Sequence, residues 1–240
     1  MRLLLLSNST APGRGYLEHA RDVIADHLRG VDELLFVPYA LAGHASYTAT
    51  VEAFMKGLGI RVRGIHTGDP RQLAAGAEAV FTGGGNSFRL LSALYEHDVL
   101  ATLRERVAAG VPYMGSSAGT NMAAPTLRTT NDMPIVQPPS FETLGLVPFQ
   151  LNPHYLDPIP GSSHMGETRE ERLTQFLEEN DVPVLGLREG TWLRRTGDTL
   201  ELGGAESGAR LFRRGHEPAE HGPGAELSEL LSGRYQFDVR

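Results

Sequence analysis

The chain has no cysteine in its 240 residues. Thiolate nucleophiles, thiolate metal sites and disulfides are thereby excluded, and covalent chemistry falls to an oxygen or nitrogen nucleophile. Long apolar runs are missing too, since none approaches the ~18 residues that cross a bilayer. The opening "MRLLLLSNST" sets a basic residue before four leucines. That run is shorter than the roughly 7–15 residues of a signal-peptide core, and no small-residue cleavage site follows it cleanly. It reads as a buried strand, and a cytoplasmic location is expected. Positive charge is in deficit: 22 Lys and Arg stand against 29 Asp and Glu, a net charge of −7. The arginines are scattered among acids, which disfavours a nucleic-acid partner. An anionic ligand would have to be held locally, by one or two placed guanidiniums. Neither G-x-G-x-x-G nor a Walker lysine occurs, and "HMGETREE" lacks H-E-x-x-H spacing. No cofactor, metal or membrane partner is expected.

What is present is an ordinary globular composition, 40% hydrophobic, with no internal repeat, low-complexity tract or linker. A single domain over residues 1–240 is expected. Short apolar runs alternate with helical periodicity. "RLLLL" (2–6), "ELLFVPY" (33–39), "IRVRGIH" (60–66), "AEAVFTGGGN" (77–86) and "VPYMGSS" (111–117) read as strands. Between them, Leu17, Ala20, Val23, Ile24 and Leu28 recur at helical spacing, 47–59 reads as a helix, and 87–110 reads as one or two helices capped by Asn86 or Ser87. This alternation implies an α/β fold, a mostly parallel twisted sheet with helices on both faces. Residues 122–163 should be mostly loop. "TREERLTQFLEEN" (168–180) is a helix with Thr168 as N-cap and Glu171 three residues on. "PVLGLREGTWLRR" and "TLELGG" read as strands, with a β-hairpin over "TGD" near the C-terminus. The tail, 216–233, reads as surface loop plus a short helix. His19, His27 and His97 fall in helical patterns, where partial exposure is the default.

The stretch "YMGSSAGTNM" (113–122) fits G-x-S-x-G through Gly115, Ser117 and Gly119. At a strand-to-helix turn, such a serine sits on a strained backbone, small neighbours let the chain pass closely, and the next N–H points toward a substrate oxygen at a helix N-terminus. The same residues also describe a glycine-bracketed turn with capping serines. A second glycine run, "TGGGNSF" (82–88), likewise joins strand to helix. Both turns fall at the carboxyl edge of the sheet, where the amides of Ala118 and Gly85 could serve one oxyanion; phosphate binding and a plain helix-entry turn are the other readings. Asn86, at the end of that run, is a candidate substrate-binding residue. Among the histidines, His154 in "LNPHYLD" has a plausible edge-of-sheet position.

Seven stretches, "LLLLSNST", "FTGGGNSF", "GSSAGTN", "RTTNDMPIV", "NPHYLD", "GETREER" and "GLREGTWL", occur in the order seen in the peptidase E family of α-aspartyl dipeptidases. The resemblance runs from about residue 2 to about 204, and "RTTNDMPIV" and "NPH…GETR" are specific to it. It implies a class I glutamine amidotransferase-like fold with serine in place of the amidotransferase cysteine. It further implies Ser117 as nucleophile, His154 as general base and Glu189 as the acid that orients the imidazole. The order Ser, His, Glu differs from the Ser, acid, His of α/β-hydrolases. Asp132 is a rival acid, or a ligand for the substrate α-ammonium. Arg169 matches the cation for the aspartyl side chain, a planar fork suited to a carboxylate. By itself it would equally be an ion-pair partner on an acidic helix. The chain departs from the family at Ser116, where a bulkier residue is common, in the spacing between His154 and Arg169, and over its last thirty-odd residues.

The implied activity is hydrolysis of Asp-Xaa dipeptides with a free N-terminal aspartate, through an acyl-enzyme. A cyanophycinase-like or isoaspartyl hydrolase on the same scaffold is the alternative, and a non-catalytic small-molecule or peptide-binding module is the alternative of another class. Monomer and homodimer remain equally open.

Overall fold

A computed structural model describes residues 1–11, 13–158, 161 and 165–239. The first half alternates strictly between strand and helix: β1 (Arg2–Leu6), α1 (Arg21–His27), β2 (Glu33–Val37), α2 (His44–Lys56), β3 (Arg61–Gly64), α3 (Pro70–Ala75) and β4 (Val80–Thr82). Then come α4 (Ser87–Glu96), α5 (Leu100–Ala108), β5 (Tyr113–Ser116) and the single turn α6 (Ala118–Asn121). The second half contributes β6 (Gln150–Pro153), α7 (Arg169–Glu179), β7 (Val184–Leu187), β8 (Thr191–Thr196), β9 (Thr199–Gly204), β10 (Ala209–Phe212) and β11 (Ala219–His221).

The main sheet has the order β3-β2-β4-β5-β1-β8-β9. Its first five strands are parallel, and β8 and β9 extend it as an antiparallel hairpin. Apolar runs are required here because both faces are covered. Along β1, Leu3 and Leu5 enter one core with Leu90 and Leu94 of α4 and Leu103 of α5. Leu4 and Leu6 enter the opposite core with Ile24 of α1 and Val51 and Met55 of α2. The α/β class with helices on both faces is thus the observed architecture. Among the described residues no helix is long and apolar enough to cross a membrane.

Several expectations need correction. The region 122–163 is not all loop: "QLNP" forms β6, which pairs in parallel with β7. Together with β10 and β11 they make a second, four-stranded sheet in the order β11-β10-β7-β6. Strands this short show no alternation to read. The tail is more than surface: Leu227 and Leu230 are fully buried, and Leu227 N–H donates to Leu200 O at 2.8 Å. The helix read from Leu17 begins as a 3-10 turn and becomes α-helical only at Arg21. His27 is buried rather than partly exposed, its ring at 3.1 Å from Tyr113 O. Other details hold. Asn86 is the cap of α4, accepting from Arg89 N–H at 3.0 Å, and the segment 87–110 divides at Asp98, where φ is 49°. Thr168 and Glu171 form the reciprocal capping box of α7. The altered spacing between His154 and Arg169 includes positions 159, 160 and 162–164, which lie outside the described residues.

Candidate active site

Parallel pairing sets the ends of β1 and β5 side by side in the main sheet and those of β6 and β7 side by side in the second. Ser117 follows β5 directly, with φ 51° and ψ −110°, a backbone region that costs a non-glycine residue roughly 1–3 kcal/mol. The conformation is over-determined. Ser117 N–H donates to Leu6 O at 3.1 Å, Thr120 Oγ1 donates to Leu6 O at 2.7 Å, and Tyr113 Oη donates to Gly119 O at 2.7 Å. A Cβ at Gly119 would run into the Thr82 carbonyl, so β4 packs against the elbow only because residue 119 is glycine. The following helix has four residues, too few for a substantial dipole. Contrary to the sequence reading, an anion placed at this turn would meet individual amides rather than a helix end.

β6 and β7 are parallel neighbours with Pro153 opposite Leu187. His154 lies one residue beyond the first strand and Glu189 two beyond the second, which brings both onto the Ser117 edge. Ser7, at the end of β1, joins these turns: its Oγ accepts from His154 N–H at 2.9 Å and donates to Leu187 O at 2.9 Å. His154 adopts φ 55°. Its Nδ1 is 2.7 Å from Glu189 Oε1, and its Nε2 is 3.0 Å from Ser117 Oγ. A carboxylate accepts only, so Nδ1 carries the proton and donates to Glu189, leaving the Nε2 lone pair to accept from the serine hydroxyl. With both ring nitrogens engaged, no place remains for Asp132 as the orienting acid. Asp132 instead accepts through Oδ2 from Ser87 N–H at 2.7 Å and Ser87 Oγ at 2.5 Å.

Ser117, His154, Glu189, Asp132 and Arg169 line one cavity of about 280 Å³. Arg169 is the first residue of α7, and its Nη1 is buried with no hydrogen-bond partner among the described residues. Burial, and then Arg172, push its pKa down, while Glu189, Asp132 and Tyr155 hold it up. Its acidic helix neighbours are committed elsewhere, Glu170 to Arg210 at 3.2 Å and Glu171 to the Thr168 cap. A second cavity, about 490 Å³, also reaches Ser117 and His154 and is lined by Gly84, Gly85, Tyr16 and Tyr47. The amides of Gly83, Gly84 and Asn86 donate to Val37 O, Tyr47 Oη and Ala40 O. Those of Gly85 and Ala118 have no such partner among the described residues. Asn86 is occupied on both sides, capping α4 through Oδ1 and donating through Nδ2 to Met133 O at 2.9 Å. A further cavity, about 650 Å³, is mainly apolar, lies along Phe88 and residues 134–141, and contains none of these groups. Among the described residues no group of three or more His, Asp or Glu is placed to hold a metal ion.

Sequence reasoning missed Ser7 and Tyr47. Neither has a local signal, since each acts on a loop far away in the chain.

Residues 3–203 match Peptidase family S51. The chain is 66% identical over 240 residues to Peptidase E of Streptomyces coelicolor, covering 100% of this chain and 98% of that protein. The likeness therefore continues through the C-terminal tail, where the sequence reading found little. It is 52% identical over 233 residues to a Drosophila melanogaster protein named "Probable alpha-aspartyl dipeptidase", covering 95% of this chain and 97% of the other. The solved structure of a peptidase from an acI-B1 Actinobacterium shares the fold, with a TM-score of 0.67 at 16% identity over 94% of this chain and 96% of that one. A family match over most of the chain and full-length relatives at this identity make it a member of peptidase family S51.

Proposed function

We propose that this serine peptidase hydrolyses Asp-Xaa dipeptides bearing a free N-terminal aspartate, through an aspartyl-enzyme on Ser117. The observation that carries the reading is Arg169: a partly buried guanidinium whose Nη1 lacks a partner, in the cavity that holds the Ser–His–Glu line. An uncompensated charge in such a place is costly to fold, and a substrate carboxylate would satisfy it. Asp132 Oδ1 receives no hydrogen bond from another described residue and is the acceptor for the α-ammonium. The two charges account for an acidic side chain and a free amine in one substrate.

In the first half-reaction Ser117 Oγ adds to the aspartyl carbonyl carbon as its proton passes to His154 Nε2. Glu189 stabilises the resulting imidazolium, and the Ala118 and Gly85 amides donate to the oxyanion, each such donor being worth about 2.7–4 kcal/mol. Collapse breaks the C–N bond, and Nε2 returns its proton to the leaving amine. Water then loses a proton to His154 as it attacks the ester, and aspartate departs with Ser117 re-protonated. The setting we infer is the cytoplasm, because the leucine run at 3–6 is a buried interior strand of the sheet rather than an exposed segment.

The test is a cleavage panel on purified protein with chelator present, comparing Asp-Leu, Asn-Leu, N-acetyl-Asp-Leu and β-Asp-Leu against a Ser117→Ala control. Turnover of Asp-Leu alone, abolished in the control, is the expected result. Cleavage of β-Asp-Leu in its place would move the protein to the isoaspartyl class with the same nucleophile. No cleavage at all by folded protein would mean either a substrate outside this panel or a binding module that has lost the chemistry.

A further inference from the structure

Gly85 sits in a run of three glycines, residues 83–85, the most conformationally free sequence a loop can have. Its own φ is 133°, and a Cβ there would fall 2.6 Å from Ala40 O. A hydrogen-bond donor on such a loop is useful to a developing oxyanion only if something outside the loop holds it still. Two tethers are backbone bonds, Gly83 N–H to Val37 O at 3.2 Å and Asn86 N–H to Ala40 O at 3.0 Å. The third is a side chain from α2: Tyr47 Oη accepts from Gly84 N–H at 2.8 Å. Gly84 is the loop residue that meets the nucleophile, since a Cβ on it would lie 3.1 Å from Ser117 Cβ.

Tyr47 is itself firmly placed. Its ring lies edge-on to Phe36, with centroids 4.9 Å apart, and edge-on to Tyr16. It packs so closely under Gly83 that a Cβ there would be 2.6 Å from the phenol oxygen. Tyr16 Oη donates to Tyr47 Oη at 3.4 Å. Burial raises the Tyr47 pKa, so the phenol stays neutral and brings no negative charge to the edge of the oxyanion site.

We propose that Tyr47 is a positioning residue for the oxyanion-stabilising amide of Gly85, acting through its hydrogen bond to Gly84 N–H. This rests on the acyl-enzyme reading of Ser117 given above. Tyr47→Phe removes the acceptor and keeps the ring contacts. It should lower kcat for Asp-Leu by about tenfold to a hundredfold, because displacing a reacting or stabilising group by about 1 Å costs that much. KM should stay within about twofold, because the ground state does not use the donor, and the melting temperature should fall modestly, because the buried Gly84 N–H loses its acceptor. The rate at which a fluorophosphonate labels Ser117 should fall in parallel. This readout needs no dipeptide, so a wrong substrate assignment and a wrong role for Tyr47 give different results. In the native protein the Gly84 amide should exchange slowly with solvent, and exchange should quicken in the variant. An unchanged labelling rate, a raised KM with kcat intact, or a Gly84 amide already exchanging freely in the wild type would each overturn the proposal.

Discussion

Ser117 illustrates what a single position must satisfy. Its positive φ is held by bonds from its neighbours to Leu6 O, and its freedom from steric conflict depends on Gly119 having no side chain. Arg169 carries the opposite burden, a buried guanidinium nitrogen with no partner among the described residues, which we propose a substrate carboxylate fills. Arg169→Met should therefore separate function from stability. Its kcat/KM for Asp-Leu should fall by the equivalent of about 2–5 kcal/mol, the usual loss when one partner of a buried charge pair is removed. The melting temperature should not drop, since the uncompensated charge goes with it. Steady-state kinetics on Asp-Leu and Asn-Leu check this: the preference for Asp-Leu should collapse, whereas an equal loss on both substrates would mean that Arg169 does not read the side chain.

Between elements, the decisive joint is the one that holds the turn after β6 against the turn after β7. Arg188, beside Glu189, grips Asp157 with two hydrogen bonds at 2.7 and 2.6 Å and also pairs with Glu220 of β11 at 2.8 Å. Asp157 lies three residues past His154, so the pair clamps the two turns that carry the imidazole and its carboxylate partner. The Arg188 side chain is 14% exposed, but Asp157 is 46% exposed, so solvent screens part of the pair. Asp157→Asn should cost about 1 kcal/mol, the upper end for an ion pair with a solvent-exposed partner, since the Arg188 contact is bidentate. On the proposed triad, it should also lower kcat more than it raises KM, because the His154–Glu189 alignment would act in the transition state. Urea unfolding and initial-rate kinetics on the same preparation test both halves. Normal kcat in a destabilised variant would limit the clamp to a structural role.

At the scale of the whole molecule, the sheet buries a titratable group that does not line the cavities holding Ser117 and His154. His27, between α1 and β5, has its pKa lowered from 6.5 to about 4, first by burial and then by the nearby Arg2. Its folded pKa lies below its unfolded one, so between about pH 4 and 6.5 the unfolded chain takes up a proton that the folded chain refuses. The stability tied to this group is complete above pH 6.5, is lost as pH falls through the window, and levels off near pH 4. The full loss is about 3 kcal/mol. Denaturant unfolding across that window should show a shallower decline in His27→Gln than in wild type. Parallel slopes in the two proteins would remove His27 as a source of acid sensitivity.

The parts of this protein that are local in the chain were legible from residues alone. Buried parallel strands announce themselves as "LLLL" or "ELLFV", the elbow as small residues around Ser117, and the start of α7 as Thr168 with Glu171, because each pattern answers to sterics or hydrogen bonding within a few residues. The motif order likewise pointed to the family. Strands of three or four residues such as "QLNP" carry no periodicity, so of the second sheet only β7 could be read, and the parallel register that sets His154 beside Glu189 could not. For the same reason the choice of Glu189 over Asp132 at the imidazole, the unpartnered nitrogen of Arg169 and the hold of Tyr47 on the glycine loop belong to the tertiary structure. Each depends on which atoms meet across tens of residues, and on which polar groups are already satisfied when they do.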